Sequence, residues 1–185
     1  MSFRTYAGYT HSENGWPMVN RDACVILDGP EPMVATAPVR AGAAAVILGD
    51  FLRRYHEECA PLISSVWGWS PTNSVPNSNH LSGTAVDINA PQWPFGYLTM
   101  PPDLVERIAR LLARYDGAVF WGREWTGRPD EMHFQIGFAE GDPRLDDVVD
   151  RIIHPVPPVP VHDPRADPDV RAGFYQLIPP DRWPR

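Results

Sequence analysis

Apolar positions recur at helical spacing over residues 41–60 (AGAAAVILGDFLRRYHEECA). Val46, Ile47, Phe51, Leu52 and Tyr55 define one face there, and Pro61 ends the segment. The same spacing over residues 103–115 (DLVERIARLLARY) predicts a second helix, with Pro101 and Pro102 before it and Asp103 as its N-cap. Residues 142–153 (DPRLDDVVDRII) read as a third helix. Between these segments the pattern shortens. Residues 62–69 form an apolar run that predicts a buried strand, and residues 84–89, 118–121 and 132–138 predict further strands. Residues 70–83 are dense in Ser, Asn and Pro and read as a loop. The first 40 residues are rich in Gly, Pro and polar side chains. Their short apolar runs, residues 23–27 and 33–35, allow one or two short strands. This alternation of helices with short strands predicts an α+β domain over residues 1–153. Residues 154–185 form a Pro-rich C-terminal extension, extended at first and with one short helix at most. Phe174, Tyr175, Leu177 and Ile178 favour a packed wrap over a bare linker.

Composition narrows the class. With 43% hydrophobic residues and seven Trp among 185 residues, the chain can fill a core and is not of the disordered type. A net charge of −7 argues against a nucleic-acid partner, which needs a basic face. All 16 basic residues are Arg, which reads as a GC-rich coding bias rather than as chemistry. No apolar run approaches the roughly 20 residues of a membrane span, so no membrane insertion is expected. The opening MSFRTYAGYTHSENG has no apolar core of the signal-peptide kind. Synthesis in the cytoplasm is therefore expected, with any extracellular substrate reached by another route after release. Cys24 and Cys59 are too few for a cysteine-based zinc site and read as two free core thiols, with one disulfide as the alternative.

Two segments carry chemistry. In SNHLSGTAVDIN, residues 78–89, His80 lies in a loop and Asp87 in a strand, with Gly83 permitting a turn between them. Strand alternation puts Ala85, Asp87 and Asn89 on one face and Thr84, Val86 and Ile88 on the core face. In RPDEMHFQI, residues 128–136, His133 and Gln135 share one face and Phe134 and Ile136 the other, just after Asp130 and Glu131. A catalytic zinc takes three protein ligands from His and Asp or Glu and keeps a fourth position open. His80, Asp87 and His133 supply that count, and Asp130 or Glu131 fits the role of a general base. The remaining histidines, His11, His56, His154 and His162, read as surface or solvated side chains.

Taken together, Ser78, His80, Gly83, Ala85 and Asp87, followed by Asp130 three residues before His133, resemble the LAS-type zinc peptidases. The similarity is to the branch of D-Ala-D-Ala and VanY-like carboxypeptidases and L-alanyl-D-glutamate endopeptidases. The context SNHLSGTAVDINAPQWPFG and GRPDEMHFQI resembles the peptidase domains of actinobacteriophage endolysins, over about residues 1–140. The resemblance implies a small antiparallel sheet flanked by helices, with one Zn2+ per chain on one face. It implies His80, Asp87 and His133 as ligands and Asp130 as catalytic base in preference to Glu131. It implies peptidoglycan stem peptide as substrate, with an endolysin L-Ala–D-Glu endopeptidase expected first and a D-Ala-D-Ala carboxypeptidase second. Other expectations from related folds are a non-catalytic zinc module that binds cell wall or a protein, and a structural phage protein. A monomer is expected.

The sequence departs from the resemblance in one respect. Relatives often carry an Arg upstream of the first His ligand, but there is no Arg or Lys between Arg54 and Arg107. Candidates for substrate or oxyanion contact are therefore Ser78, Asn73, Arg123 and Arg128. Trp93, Trp121 and Trp125 are candidates for the groove wall or for the core.

Overall fold

Strand β5 (His133–Ile136) lies at the centre of a three-stranded antiparallel sheet, flanked by β3 (Ala85–Asp87) and β4 (Val119–Trp121). The computed structural model describes residues 3–27, 29 and 37–155. The expected apolar run at 33–35, His162 and nearly all of the C-terminal extension lie outside those residues. A separate two-stranded ladder pairs β1 (Cys24–Ile26) with β2 (Pro38–Arg40). Among the described residues three α-helices accompany the sheets: α1 (Ala43–Arg54), α2 (Pro102–Leu112) and α3 (Pro143–Ile153). The result is the α+β class with small antiparallel sheets.

The central strand divides core from site. Phe134 and Ile136 are fully buried in the hydrophobic core, whereas His133 and Gln135 point to the opposite face. Phe134 packs 4.9 Å from Phe51 of α1 and stacks on Trp121 of β4 at 5.6 Å, with the rings only 10° from parallel. Tyr55 and Tyr115 meet the same aromatic group edge-on. Truncating a side chain so placed costs about 3–5 kcal/mol. The strand that carries His133 and Gln135 is thus pinned from behind.

Several elements differ from the periodicity reading for identifiable reasons. The first helix leaves α geometry after Arg54 and finishes in a π turn, Tyr55–Cys59. Ala60, forced out of the helical region by Pro61, adopts an extended backbone. Helix α2 starts one residue early because Pro102 suits the first helical position; Pro101 is its N-cap, and Asp103 sits in the first turn, paired with Arg107. Asp142 does cap α3, accepting from the Arg144 N–H at 3.0 Å.

Residues 62–69 do not form the expected regular strand. Ile63 and Trp67 are exposed, and the segment pairs with the sheet through an isolated bridge between Trp67 and Asp87. Strand β3 is also shorter than the pattern suggested. Asn89 has a left-handed backbone (φ 50°), which ends the alternation, and its amide binds the Ile63 N–H and the Pro61 carbonyl instead. Thr84 is buried not in the apolar core but in a hydroxyl network with Ser82 and Asn14. Both cysteines are free and buried, as core thiols.

Candidate metal centre and substrate cleft

Register brings the first two functional side chains together. Asp87 of β3 is the direct cross-strand partner of His133 in β5. Side chains directly opposite in an antiparallel pair are neighbours. His80 arrives from a 3-10 turn, Asn79–Ser82, whose N-cap Ser78 accepts from the His80 N–H at 3.3 Å. Gly83 closes that turn in a left-handed conformation (φ 72°). A Cβ there would meet the Arg40 nitrogen at 2.9 Å and Cys24 Sγ at 3.0 Å. The glycine therefore permits the reversal that returns the chain into β3.

The three side chains converge on one point. His80 Nε2 is 3.1 Å from Asp87 Oδ1 and 3.2 Å from His133 Nδ1, and His133 Nδ1 is 3.0 Å from the same Asp87 oxygen. All three residues are buried. The far edge of each ring is already held. His80 donates from Nδ1 to the Gly68 carbonyl at 2.7 Å. His133 Nε2 lies 3.0 Å from Gln135 Oε1. The orientation of that amide is fixed in turn, because Gln135 donates from Nε2 to Glu13 at 2.9 Å and accepts from Asn79 Nδ2 at 2.6 Å. Gln135 Oε1 is therefore an acceptor, and His133 must carry its hydrogen on Nε2.

It follows that the neutral rings turn two nitrogen lone pairs and a carboxylate oxygen toward a common centre. Three acceptors at such spacing repel one another unless a cation lies between them. A tetrahedral ion with bonds of about 2.0–2.1 Å requires ligand atoms about 3.3 Å apart. The observed separations fall within a few tenths of an ångström of that edge. Two His and one Asp also match the donor chemistry of catalytic zinc, and the outward hydrogen bonds are those that orient metal-bound imidazoles. The residues fit one zinc ion.

The protonation tendencies of the ion-free cluster agree with a demand for positive charge. Burial is the largest influence on Asp87 and works to raise its pKa. The charges and hydrogen bonds of His80 and His133 outweigh it and hold the carboxyl well below the usual range. For His80, burial likewise opposes protonation, yet Asp87 and the Gly68 carbonyl together keep its pKa above the ordinary value.

The two candidate bases separate cleanly. Asp130 lines the cleft beside the triad, is 7% exposed, and has one carboxylate oxygen with no hydrogen-bond partner among the described residues. Burial, reinforced by the charge of Asp87, pushes its pKa up to about 6. Glu131 is fully buried elsewhere. It accepts from the Thr99 and Met100 N–H groups and forms an ion pair with Arg123. Its carboxylate holds the 99–100 segment, and Arg123 is engaged with it rather than with the cleft.

The cleft has a volume of about 470 Å³, and its wall includes Asn73, Ser78, Trp125 and Arg128. A second hollow of about 380 Å³, lined by Trp67, Trp69, Ser70 and Thr72, shares Asn73, His80 and Asp87 with the first. The triad thus lies where two hollows meet. Among the tryptophans, Trp125 stands 5.0 Å from the His133 ring and belongs to the wall, whereas Trp121 and Trp93 pack with the core. Among the described residues, no other histidine joins the cluster. His56, half-buried, accepts from the Leu62 N–H, and His11 and His154 are exposed.

Four contributors were not anticipated: Glu13, Gly68, Asn79 and Gln135. Gln135 and Asn79 lie inside the informative segments, and Gln135 shares the strand face of His133, so alternation could have singled it out. Gly68 acts through its backbone and Glu13 comes from the N-terminal loop, so neither has a local signal. That loop is clamped to the sheet by Asn14, which donates to the Ile136 carbonyl, and by Trp16, which donates to the Phe138 carbonyl.

A buried His–Asp–His triad with an acidic neighbour in an open cleft is the donor arrangement that a mononuclear zinc hydrolase requires. Residues 72–136 match the family model described as D-alanyl-D-alanine carboxypeptidase. That span contains the whole triad and Asp130, and the match supports a zinc peptidase acting on peptidoglycan. No curated protein and no solved structure matches the chain.

Proposed function

We propose that this protein is a zinc endopeptidase that cleaves the stem peptide of bacterial peptidoglycan between L-Ala and D-Glu, in the role of an endolysin. The observation that carries the peptidase reading is the convergence of His80, Asp87 and His133 beside Asp130 in a cleft. The preference for an internal bond rests on the two hollows that meet at the triad, since a chain cleaved internally must extend on both sides of the reacting carbonyl. The endolysin role rests on the sequence resemblance.

When bound, zinc supplies a Lewis acid able to acidify water and polarise a carbonyl. The remaining steps belong to the chain itself. Asp130 takes a proton from the attacking water and delivers one to the leaving amine; a carboxyl raised to about 6 is a stronger base than an ordinary one and is still ionised near neutrality. Ser78 accepts from the His80 N–H, which leaves its own hydrogen available to donate into the cleft. Asn73 lines both hollows and is positioned to meet the substrate backbone.

One observation favours a second reading. The matching family model is described as a D-alanyl-D-alanine carboxypeptidase, which would remove the terminal residue of the same stem. Digestion of purified cell walls by the zinc-loaded protein, with mass spectrometry of the fragments, separates the two. New D-Glu amino termini support the endopeptidase; release of free D-Ala alone supports the carboxypeptidase. A protein that binds zinc and cuts neither bond would be a binding module instead.

A further inference from the structure

We infer that Arg128 is the carboxylate-recognising residue of the cleft and reads the acid group on the substrate residue that follows the scissile bond. The inference rests on the peptidase reading above and gives the cleft a polarity that the reading lacks.

Arg128 is set apart from the other described arginines, each of which makes a hydrogen bond or ion pair to another described residue. Arg123 pairs with Glu131, Arg40 with Glu140, and Arg54 with Asp50, for example. Arg128 makes no such bond among the described residues, although it stands on the cleft wall. Its guanidinium is nevertheless placed. Its Cζ lies 4.2 Å from the centre of the Phe95 ring, a cation–π contact that anchors the head group without using its N–H donors. Gly96 forms its backing. A Cβ at Gly96 would meet Arg128 Nε at 3.1 Å, and the backbone there has φ 88°, so the close approach depends on glycine. The Gly96 N–H also donates to the Pro129 carbonyl at 2.8 Å, which ties the two loops together.

The charges around it select the ligand. The acidic groups on the same wall are Glu13, held by the Asn79 and Gln135 amides, Asp87 in the triad, and Asp130. Arg128 is the one Arg of this wall among the described residues, its other basic groups being the triad histidines, and the adjoining Trp67–Trp69 hollow has no Arg. A free guanidinium fork suits a carboxylate, which it binds through two parallel hydrogen bonds. Apart from His80 and Asp87 of the triad, that hollow is lined by aromatic and uncharged polar residues, which suit the neutral, glycan-proximal side of a stem peptide. The acid group therefore belongs on the leaving-group side of the bond. In the stem peptide such a group exists at two places, the α-carboxylate of D-Glu after L-Ala and the terminal carboxylate of D-Ala-D-Ala.

One synthetic peptide, L-Ala-γ-D-Glu-L-Lys-D-Ala-D-Ala, carries both bonds. It is compared with two versions, one amidated at the D-Glu α-carboxylate and one at the C-terminus, with mass spectrometry naming the bond cut. Whichever bond the zinc-loaded protein cuts, amidation of the carboxylate just after it should lower kcat/KM by about 10–100-fold, mainly through KM. Amidation of the other carboxylate should change little. Arg128→Gln should abolish the discrimination, and Arg128→Lys should keep part of it, as a point charge without the fork. Equal cleavage of free and amidated peptides, or unchanged discrimination in Arg128→Gln, overturns the inference while leaving the peptidase reading intact. Cleavage of neither bond by the wild-type protein overturns both.

Discussion

Gln135 accepts the Nε2 hydrogen of His133 at 3.0 Å, and His133 therefore meets Asp87 and His80 through Nδ1. The choice of ring nitrogen is made two residues along the same strand face. It is stabilised further by Asn79 and Glu13, which fix the amide of Gln135. This outer network is the reason the triad can be read as a metal site rather than as a chance cluster. Gln135→Leu is expected to lower zinc affinity by about 10–100-fold, measured by competition with a chromophoric chelator. An unchanged affinity would mean that the amide does not orient the ring.

Asp130 carries the opposite trade. A buried carboxylate with an unpartnered oxygen destabilises the fold when ionised. Its folded-state pKa of about 6 exceeds the unfolded value of 3.8, so the folded state holds a proton that the unfolded state releases between those values. The contribution is fully present below pH 3.8 and is lost as pH rises towards 6. Asp130→Asn should therefore stabilise the zinc-free protein at pH 7 by on the order of 1–2 kcal/mol, read from denaturant melts. The same change should cut peptidase turnover by about 100-fold or more. Asp87 has the reverse sign: its depressed pKa contributes stability above the unfolded value that is lost on strong acidification.

Glu131 and Asp130 are neighbours in sequence with separate tasks. Glu131→Ala would leave Arg123 unpaired and two backbone N–H groups unsatisfied, at a cost of about 3 kcal/mol or more. Thermal melts should show that loss. The fraction that remains folded should still bind one zinc, because Glu131 does not touch the triad. Loss of zinc from folded Glu131→Ala would contradict this division.

Zinc itself should act as a stabilising ligand. At a free concentration about 100 times its dissociation constant, linkage gives about 2.7 kcal/mol. For a domain of this size the melting temperature should rise by several degrees on adding zinc and fall again with a chelator. His80→Ala should remove the response. A zinc-independent melting curve in the wild-type protein would mean that the three acceptors do not share an ion.

The spacing of Ser78, His80, Gly83 and Asp87, and of Asp130 and His133, was legible in sequence because each segment places its polar tips by local rules, a capped turn and a strand's alternation. The helices were legible from periodicity for the same reason. Their exact ends were not, since the π turn at Tyr55–Cys59 and the start at Pro102 depend on proline and on packing. The irregular path of residues 62–69 was illegible because its apolar content resembles a strand. Its pairing is limited by contact with Asp87 on one side and Pro38 on the other. Asp130 and Glu131 could be separated by family spacing but not by residue type; burial and partners separate them physically. Glu13 could not be found at all, because tertiary contacts of its loop, through Ser12, Asn14, Trp16 and its own N–H to the Asn77 carbonyl, bring it to Gln135.

The metal site stands or falls on whether His80 Nε2, Asp87 Oδ1 and His133 Nδ1 hold one zinc ion. Anomalous diffraction at the zinc edge, from crystals grown with equimolar zinc, tests it most directly. The predicted result is a single peak about 2.0–2.2 Å from all three atoms. A peak elsewhere, ligation of His133 through Nε2, or no peak between the three side chains would contradict it.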